Sequence, residues 1–150
     1  MGRTETVEFV NMCMVQNDDK VLVQHRKKKD YSGITFPGGH VEEGESFSEA
    51  VIREIREETG LTISAPRLCG IKDWYNNDHR YVVLLYKTEH FTGTLRASNE
   101  GEVSWEKIEE LPNLPHVAKD MKDMLRVLTE DDLSEFFYYL KDDQWILELK

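Results

Sequence analysis

The feature that most constrains this chain is a change of hydrophobic period at Ser46. Upstream, residues 7–15 (VEFVNMCMV) and 21–25 (VLVQH) are short apolar stretches parted by Gln16-Asn17-Asp18-Asp19-Lys20, so they read as a hairpin with an Asn/Asp turn. From Phe47, apolar residues recur as Phe47, Ala50, Val51 and Ile55, at i, i+3, i+4 and i+8, which is one stripe of an amphipathic helix. Ser46 with Glu49 fits a capping box and Gly60 a C-terminal cap, so the spacing predicts a helix over residues 47–58. Residues 34–36 suit a brief strand stopped by Pro37, Gly38 and Gly39. Strands are also predicted at 61–64, 67–74, 80–88 and 90–97, with Asn76-Asn77-Asp78 a turn, and Trp105 ends another. Val117, Met121, Met124, Leu125 and Leu128 predict a second helix over 116–128. The tail, EFFYYLKDDQWILELK, reads as a hairpin turning at Lys141-Asp142-Asp143, with a helix over 131–140 as its competitor. The order β-β-α-β-β-β-α predicts a mixed α/β sandwich in a single domain over residues 1–150.

The chain is 150 residues long, enough to bury one core, and Leu, Ile, Val and Phe account for 26% of it, which excludes global disorder. Against 19 basic residues stand 29 acidic ones, a net charge of −10 with a sequence pI near 5.0. A chain so acidic exerts no general attraction on nucleic acid or anionic lipid, so any phosphate chemistry must rely on cations recruited locally. No apolar run approaches the roughly 18 residues of a membrane span, and the polar N-terminus MGRTETVEFV lacks a signal-peptide core. Cys13 and Cys69 lie far apart and form no CxxC pair, which disfavours disulfides and thiolate zinc and agrees with a cytoplasmic location.

The chemistry concentrates in GHVEEGESFSEAVIREIREETGL, residues 39–61. Gly38, Gly39 and Gly44 deliver a flexible turn to the start of the predicted helix. Glu54, Glu57 and Glu58 stand at i, i+3 and i+4, so three carboxylates share one face and repel one another. Arg53 can pair with Glu57, but one guanidinium cannot neutralise three carboxylates, whereas a hard divalent cation such as Mg²⁺ can. A solvated acidic helix face is the ordinary reading of such a triple. The spacing of the whole segment sets that reading aside: Gly39, five residues, Glu45, seven residues, then Arg53-Glu54-Ile55-Arg56-Glu57-Glu58-Thr59-Gly60-Leu61 matches the Nudix box at every defined position.

The chain therefore resembles the Nudix hydrolases, a family that cleaves nucleoside diphosphates linked to another moiety with Mg²⁺ or Mn²⁺. The resemblance implies a Nudix-type α/β/α sandwich with a mixed β-sheet, here with a C-terminal hairpin extension over about 130–150. It implies Glu57, Glu58 and the Gly38 carbonyl as metal ligands, and Glu54 as a ligand or the general base. Arg53 would orient a glutamate and Glu45 would support the loop. Glu100, with Glu102 second, would add an acid from a later loop. Arg26 and Gly39 are expected to touch substrate.

Other motifs are absent: there is no P-loop, no HExxH and no GxSxG elbow, and His40 reads as a loop histidine. The cations Arg26 to Lys29 suit substrate phosphates or a solvated connection in equal measure. Of the aromatics that could stack a base (Tyr31, Phe36, Trp74, Tyr75, Tyr81), Trp74 and Tyr75 are expected at a rim beside the polar turn, and Trp105 in the core. The segment FPGGHVEEGES, the length and the tail are similar to the MutT/MutX-like branch, which implies an 8-oxo-dGTP diphosphatase that sanitises the nucleotide pool and so serves DNA repair. In that branch an Asn or Asp near the later loop and helix reads the base, and Asn113 and Asp120 lie in that region. ADP-ribose or the 5′ end of RNA is the alternative substrate, the latter disfavoured by the acidic charge. The aromatic tail (Phe136, Phe137, Tyr138, Tyr139, Trp145) suits a homodimer interface, against packing on its own domain.

Overall fold

The computed structural model describes residues 2–27, 32–76 and 78–150. Its elements are β1 (Val7–Asn17), β2 (Lys20–Arg26), β3 (Gly33–Thr35), α1 (Phe47–Thr59), β4 (Leu61–Ser64), β5 (Arg67–Asn76), β6 (His79–Thr88), β7 (His90–Gly93), β8 (Gly101–Lys107), α2 (Met121–Thr129), β9 (Glu135–Lys141) and β10 (Gln144–Leu149). The large sheet runs β10-β9-β5-β6-β1-β2-β3 with β8 also paired to β2, while β4 and β7 form a separate ribbon. It is mixed, because β1 lies parallel to β6 and β5 parallel to β9. Strict alternation along β1 sorts the two layers: Met12 and Met14 pack toward α2, Cys13 and Val15 toward α1. Val21 and Val23 of β2, and Val83 and Leu85 of β6, follow the first set, while Leu22, Leu84 and Tyr86 follow the second. A helix on each face of one mixed sheet is the expected α/β/α sandwich.

α1 forms where its periodicity places it. The Glu49 N–H donates to Ser46 Oγ at 3.0 Å, and Gly60 closes the helix at φ 83°. Val51 and Ile55 are fully buried against the sheet, each worth roughly 1.5–3 kcal/mol. Phe47, at the edge of the stripe, packs on Phe9 with ring centroids 5.0 Å apart.

Three boundaries differ from expectation. α2 begins at Met121, not at 116, because Val117 bridges β3 instead: the Ile34 N–H donates to the His116 carbonyl and the Ala118 N–H to the Ile34 carbonyl. His116 itself has φ 64°, outside the helical region. The strand from His90 stops at Gly93, where φ is 103°, and β8 runs past Trp105 to Lys107. The tail is the hairpin and not the competing helix, with Asp142 and Asp143 both at positive φ in a two-residue turn. It packs on its own domain, adding β9 to β5 and burying Phe136 completely, while Leu140 and Trp145 stay exposed. No helix among the described residues is long and apolar enough to cross a membrane.

The sheet opens between β1 and β2. These strands pair only at Gln16–Val21 and Asn17–Lys20, and residues 37–41 enter the gap along β1. The Asn11 and Cys13 N–H groups donate to the Gly39 and Pro37 carbonyls, and the Val41 N–H donates to the Phe9 carbonyl. Only glycine fits at 38, because a Cβ there would stand 1.9 Å from the Asn11 carbonyl oxygen. The fork thus sets the glycine loop against the polar face of α1.

Candidate metal and substrate site

One guanidinium organises that face. Arg53 Nε donates to Glu45 Oε2 at 2.7 Å and Nη2 to Glu45 Oε1 at 3.0 Å, a bidentate pair. Its Nη1 reaches Glu54 Oε1 at 2.9 Å and Glu57 Oε2 at 3.1 Å, and Nη2 also reaches the His40 carbonyl at 3.0 Å. Arg53 thereby ties the helix face to the loop at both Glu45 and His40. Its hydrogen bonds hold the Glu45 carboxyl at about 2, helped by the Glu42 N–H that donates to Glu45 Oε1. In return, Glu45 keeps the guanidinium above its usual range. Burial moves Glu54 the other way, raising its carboxyl above the ordinary value despite the Arg53 hydrogen bond.

Glu58 is anchored differently. Gln24 Nε2 and Ser98 Oγ both donate to its Oε2, each at 2.8 Å. Ser98 Oγ also accepts the Glu100 N–H, coupling the later acidic loop to the helix. Neither Gln24 nor Ser98 was expected here; a glutamine in the apolar run VLVQH is the one trace the sequence holds of either. The Gly39 N–H meets Asn11 Oδ1 at 3.2 Å, a further contact unforeseen from sequence.

The result is a repeated motif of one held and one open oxygen. Glu54 is held through Oε1, Glu57 through Oε2 and Glu58 through Oε2. Among the described residues the second oxygen of each has no hydrogen-bond partner, and none of the three is a buried orphan. The extended run 37–41 adds a donor: carbonyls alternate, so that of Gly38 leaves β1 on the same side as that of His40, which meets Arg53. As they stand, no three acidic, imidazole or thiol groups among the described residues enclose an ion. The donor chemistry nevertheless fits a hard divalent cation: oxygen only, anionic, and already oriented by the protein.

The other expected residues divide between this face and the opposite one. Glu100 is partly buried in the loop linked by Ser98, and Arg26 ends β2 opposite Gly101 and Gly33. Asp120 lies on the α2 side, buried in an ion pair with Lys72 of β5. Lys72 Nζ also sits 5.3–5.9 Å from the Phe136, Trp74 and Tyr138 ring centroids. Trp74 stacks on Tyr81 at 4.9 Å, and Glu8 bonds both His40 and His79 beyond them. Tyr75 is exposed. Asn113, on a 3-10 turn over 111–113, is exposed and touches none of the box glutamates. Lys28, Lys29, Tyr31 and Asn77 lie outside the described residues.

Similarity to known proteins agrees with this geometry. A family model described as the NUDIX domain matches residues 8–128. The Nudix hydrolase YvcI of Bacillus subtilis (strain 168) is 35% identical over 120 residues, 76% of this chain and 75% of its own length. An ADP-ribose pyrophosphatase of Methanocaldococcus jannaschii is 32% identical over 116 residues, 75% of this chain and 68% of its own. The crystal structure of a Mutator MutT protein from Bacillus halodurans superposes with a TM-score of 0.77 at 29% identity, covering 94% of this chain and 97% of the other. With a box face of this construction and a match over most of its length, the chain belongs to the Nudix domain family, as a hydrolase of phosphoric anhydride bonds in nucleoside diphosphate derivatives.

Proposed function

We propose that the chain is an Mg²⁺- or Mn²⁺-dependent nucleoside triphosphate pyrophosphohydrolase whose preferred substrate is 8-oxo-dGTP, giving 8-oxo-dGMP and pyrophosphate. The observation that carries the metal-dependent reaction is the set of three carboxylates, each held by one oxygen and open at the other. Glu57, Glu58 and the Gly38 carbonyl would hold the cation, with Glu100 contributing from its loop. When bound there, it would supply charge neutralisation for the phosphoryl oxygens and a more acidic water. Glu54 Oε2 takes the proton of the attacking water, while Arg53 fixes the carboxylate through Oε1. Glu45 fixes Arg53 in turn, so a fault in the loop reaches the base through two hydrogen bonds.

Substrate preference rests on the α2 side of the fork. Trp74 and Tyr81 offer an aromatic surface for a base, and Asp120 beside Lys72 sets a carboxylate and an ammonium where a purine edge presents donors and acceptors. Exchange of one partner of that ion pair for the base makes recognition sensitive to one or two hydrogen bonds, the difference between oxidised and ordinary guanine. Similarity to the archaeal ADP-ribose pyrophosphatase favours a second reading, hydrolysis of ADP-ribose. Mg²⁺-dependent release of products from 8-oxo-dGTP, dGTP and ADP-ribose, with Glu57→Gln as blank, decides between them. Preference for 8-oxo-dGTP that vanishes in the blank supports the first reading. Equal turnover of dGTP removes the specificity, and activity on ADP-ribose alone replaces the substrate.

A further inference from the structure

A groove of about 720 Å³ lies beside the fork, between the end of β2, the start of β3 and the segment before α2. Its cationic lining is Arg26, Lys27 and Lys119, with the imidazoles of His25 and His116 beside them. In a chain of net charge −10, no carboxylate lines it among the described residues. Lys27 and Lys119 are exposed and enter no ion pair among the described residues, so their charge is available to a ligand. The volume falls within the range of small-molecule sites. Two backbone features hold the walls together: Gly33, at φ 104°, approaches the His116 carbonyl so closely that a Cβ would stand 2.3 Å from its oxygen, and His116 adopts φ 64°.

Arg26 lines the groove at the end of β2. That residue is paired with Gly101, next to Glu100 and three positions from Ser98, which holds Glu58. The apolar ground beside the fork, Trp74 with Tyr81, lies on β5 and β6, across the gap from this groove. A substrate with its base on the aromatic side and its scissile phosphates at the carboxylates therefore sends its far end toward the basic side.

We propose that this groove is an anion site for the phosphates beyond the scissile bond, so that the chain selects a polyphosphate tail over a neutral distal sugar. The inference rests on the triphosphate reading above and explains how a strongly acidic protein tolerates a polyanion: lysines act as local point charges where the long-range field is unfavourable. Beyond the scissile bond a nucleoside triphosphate presents two phosphates to the groove, whereas ADP-ribose presents one phosphate and then an uncharged sugar.

Titration of inorganic tripolyphosphate into the full chain by calorimetry, in Mg²⁺ buffer, tests the site without requiring turnover. The Lys27→Gln/Lys119→Gln double variant is expected to bind tripolyphosphate about tenfold more weakly, as loss of two solvent-exposed ion pairs implies, with dGMP affinity moved less than twofold. Restoration by Lys27→Arg/Lys119→Arg supports the charge origin of the effect. Unchanged tripolyphosphate affinity in the double Gln variant, or an equal loss for dGMP, overturns the proposal. Turnover confined to ADP-ribose while tripolyphosphate still depends on both lysines would overturn the tail selection together with the triphosphate reading, leaving anion binding alone.

Discussion

Gln24→Leu isolates the least conspicuous support of the site. Gln24 is almost fully buried, and its amide donates at 2.8 Å to the Oε2 of Glu58, itself 9% exposed. A hydrogen bond to a charged group contributes about 1.5–3 kcal/mol, and a neutral one about 0.5–1.5 kcal/mol. Leucine nearly preserves the volume and returns about 1 kcal/mol of apolar burial. The variant should therefore lose about 0.5–2 kcal/mol in urea unfolding with EDTA present. In a Glu58→Gln background the same change removes only a neutral bond, so its net effect falls close to zero. The cycle then yields a coupling of about 1–1.5 kcal/mol between positions 24 and 58. Excess Mg²⁺ should stabilise the parent by RT ln(1 + [L]/Kd), about 2.7 kcal/mol at 100 Kd, and the Glu58→Gln proteins by less. A coupling within about 0.3 kcal/mol of zero would refute the assignment of Gln24 as the anchor of Glu58.

Gly39→Ala would put a Cβ 2.4 Å from the Glu54 carboxylate; turnover should fall at least about tenfold with only about 1 kcal/mol of stability lost, read by steady-state kinetics alongside a thermal melt. Arg53→Lys keeps the charge but loses the two-point grip on Glu45, so NMR titration should find the Glu45 carboxyl above its present value of about 2, with activity reduced. Asp73 is buried, and that burial, with the neighbouring Glu135 carboxylate next, pushes its carboxyl up to about 7 from 3.8, while Arg80 Nη1 at 3.2 Å only partly opposes this. Because the folded state holds the proton more tightly than the unfolded chain, stability should fall as pH rises from about 4 through 7, by an amount on the order of 4 kcal/mol. Asp73→Asn should flatten that profile and exceed the parent at pH 8; a flat parent profile would count against the buried acid.

What sequence discloses about this molecule follows the range of the interactions involved. α1 could be read because its cap at Ser46, its stripe through Ile55 and its Gly60 terminus are settled within a few residues of one another, and the Arg53–Glu57 pair is one helical turn long. The terminal hairpin was legible for the same reason, its turn needing only Asp142 and Asp143. Val117 misled because apolar spacing is blind to conformation: it packs against the core from a non-helical segment that happens to continue the phase of α2. Gln24 and Ser98 could not be found, since they meet at Glu58 only after β8 pairs with β2 and the fork admits the loop. Lys72 would pass for a surface lysine in any strand; it is buried because β9, more than sixty positions later, brings Phe136 and Tyr138 over it while α2 supplies Asp120. The box names the carboxylates, but the pairing of β8 with β2 decides which oxygen of Glu58 stays open. Chemistry here thus depends on residues the motif omits, and altering β2 or β8 should perturb the candidate metal site as surely as altering the helix.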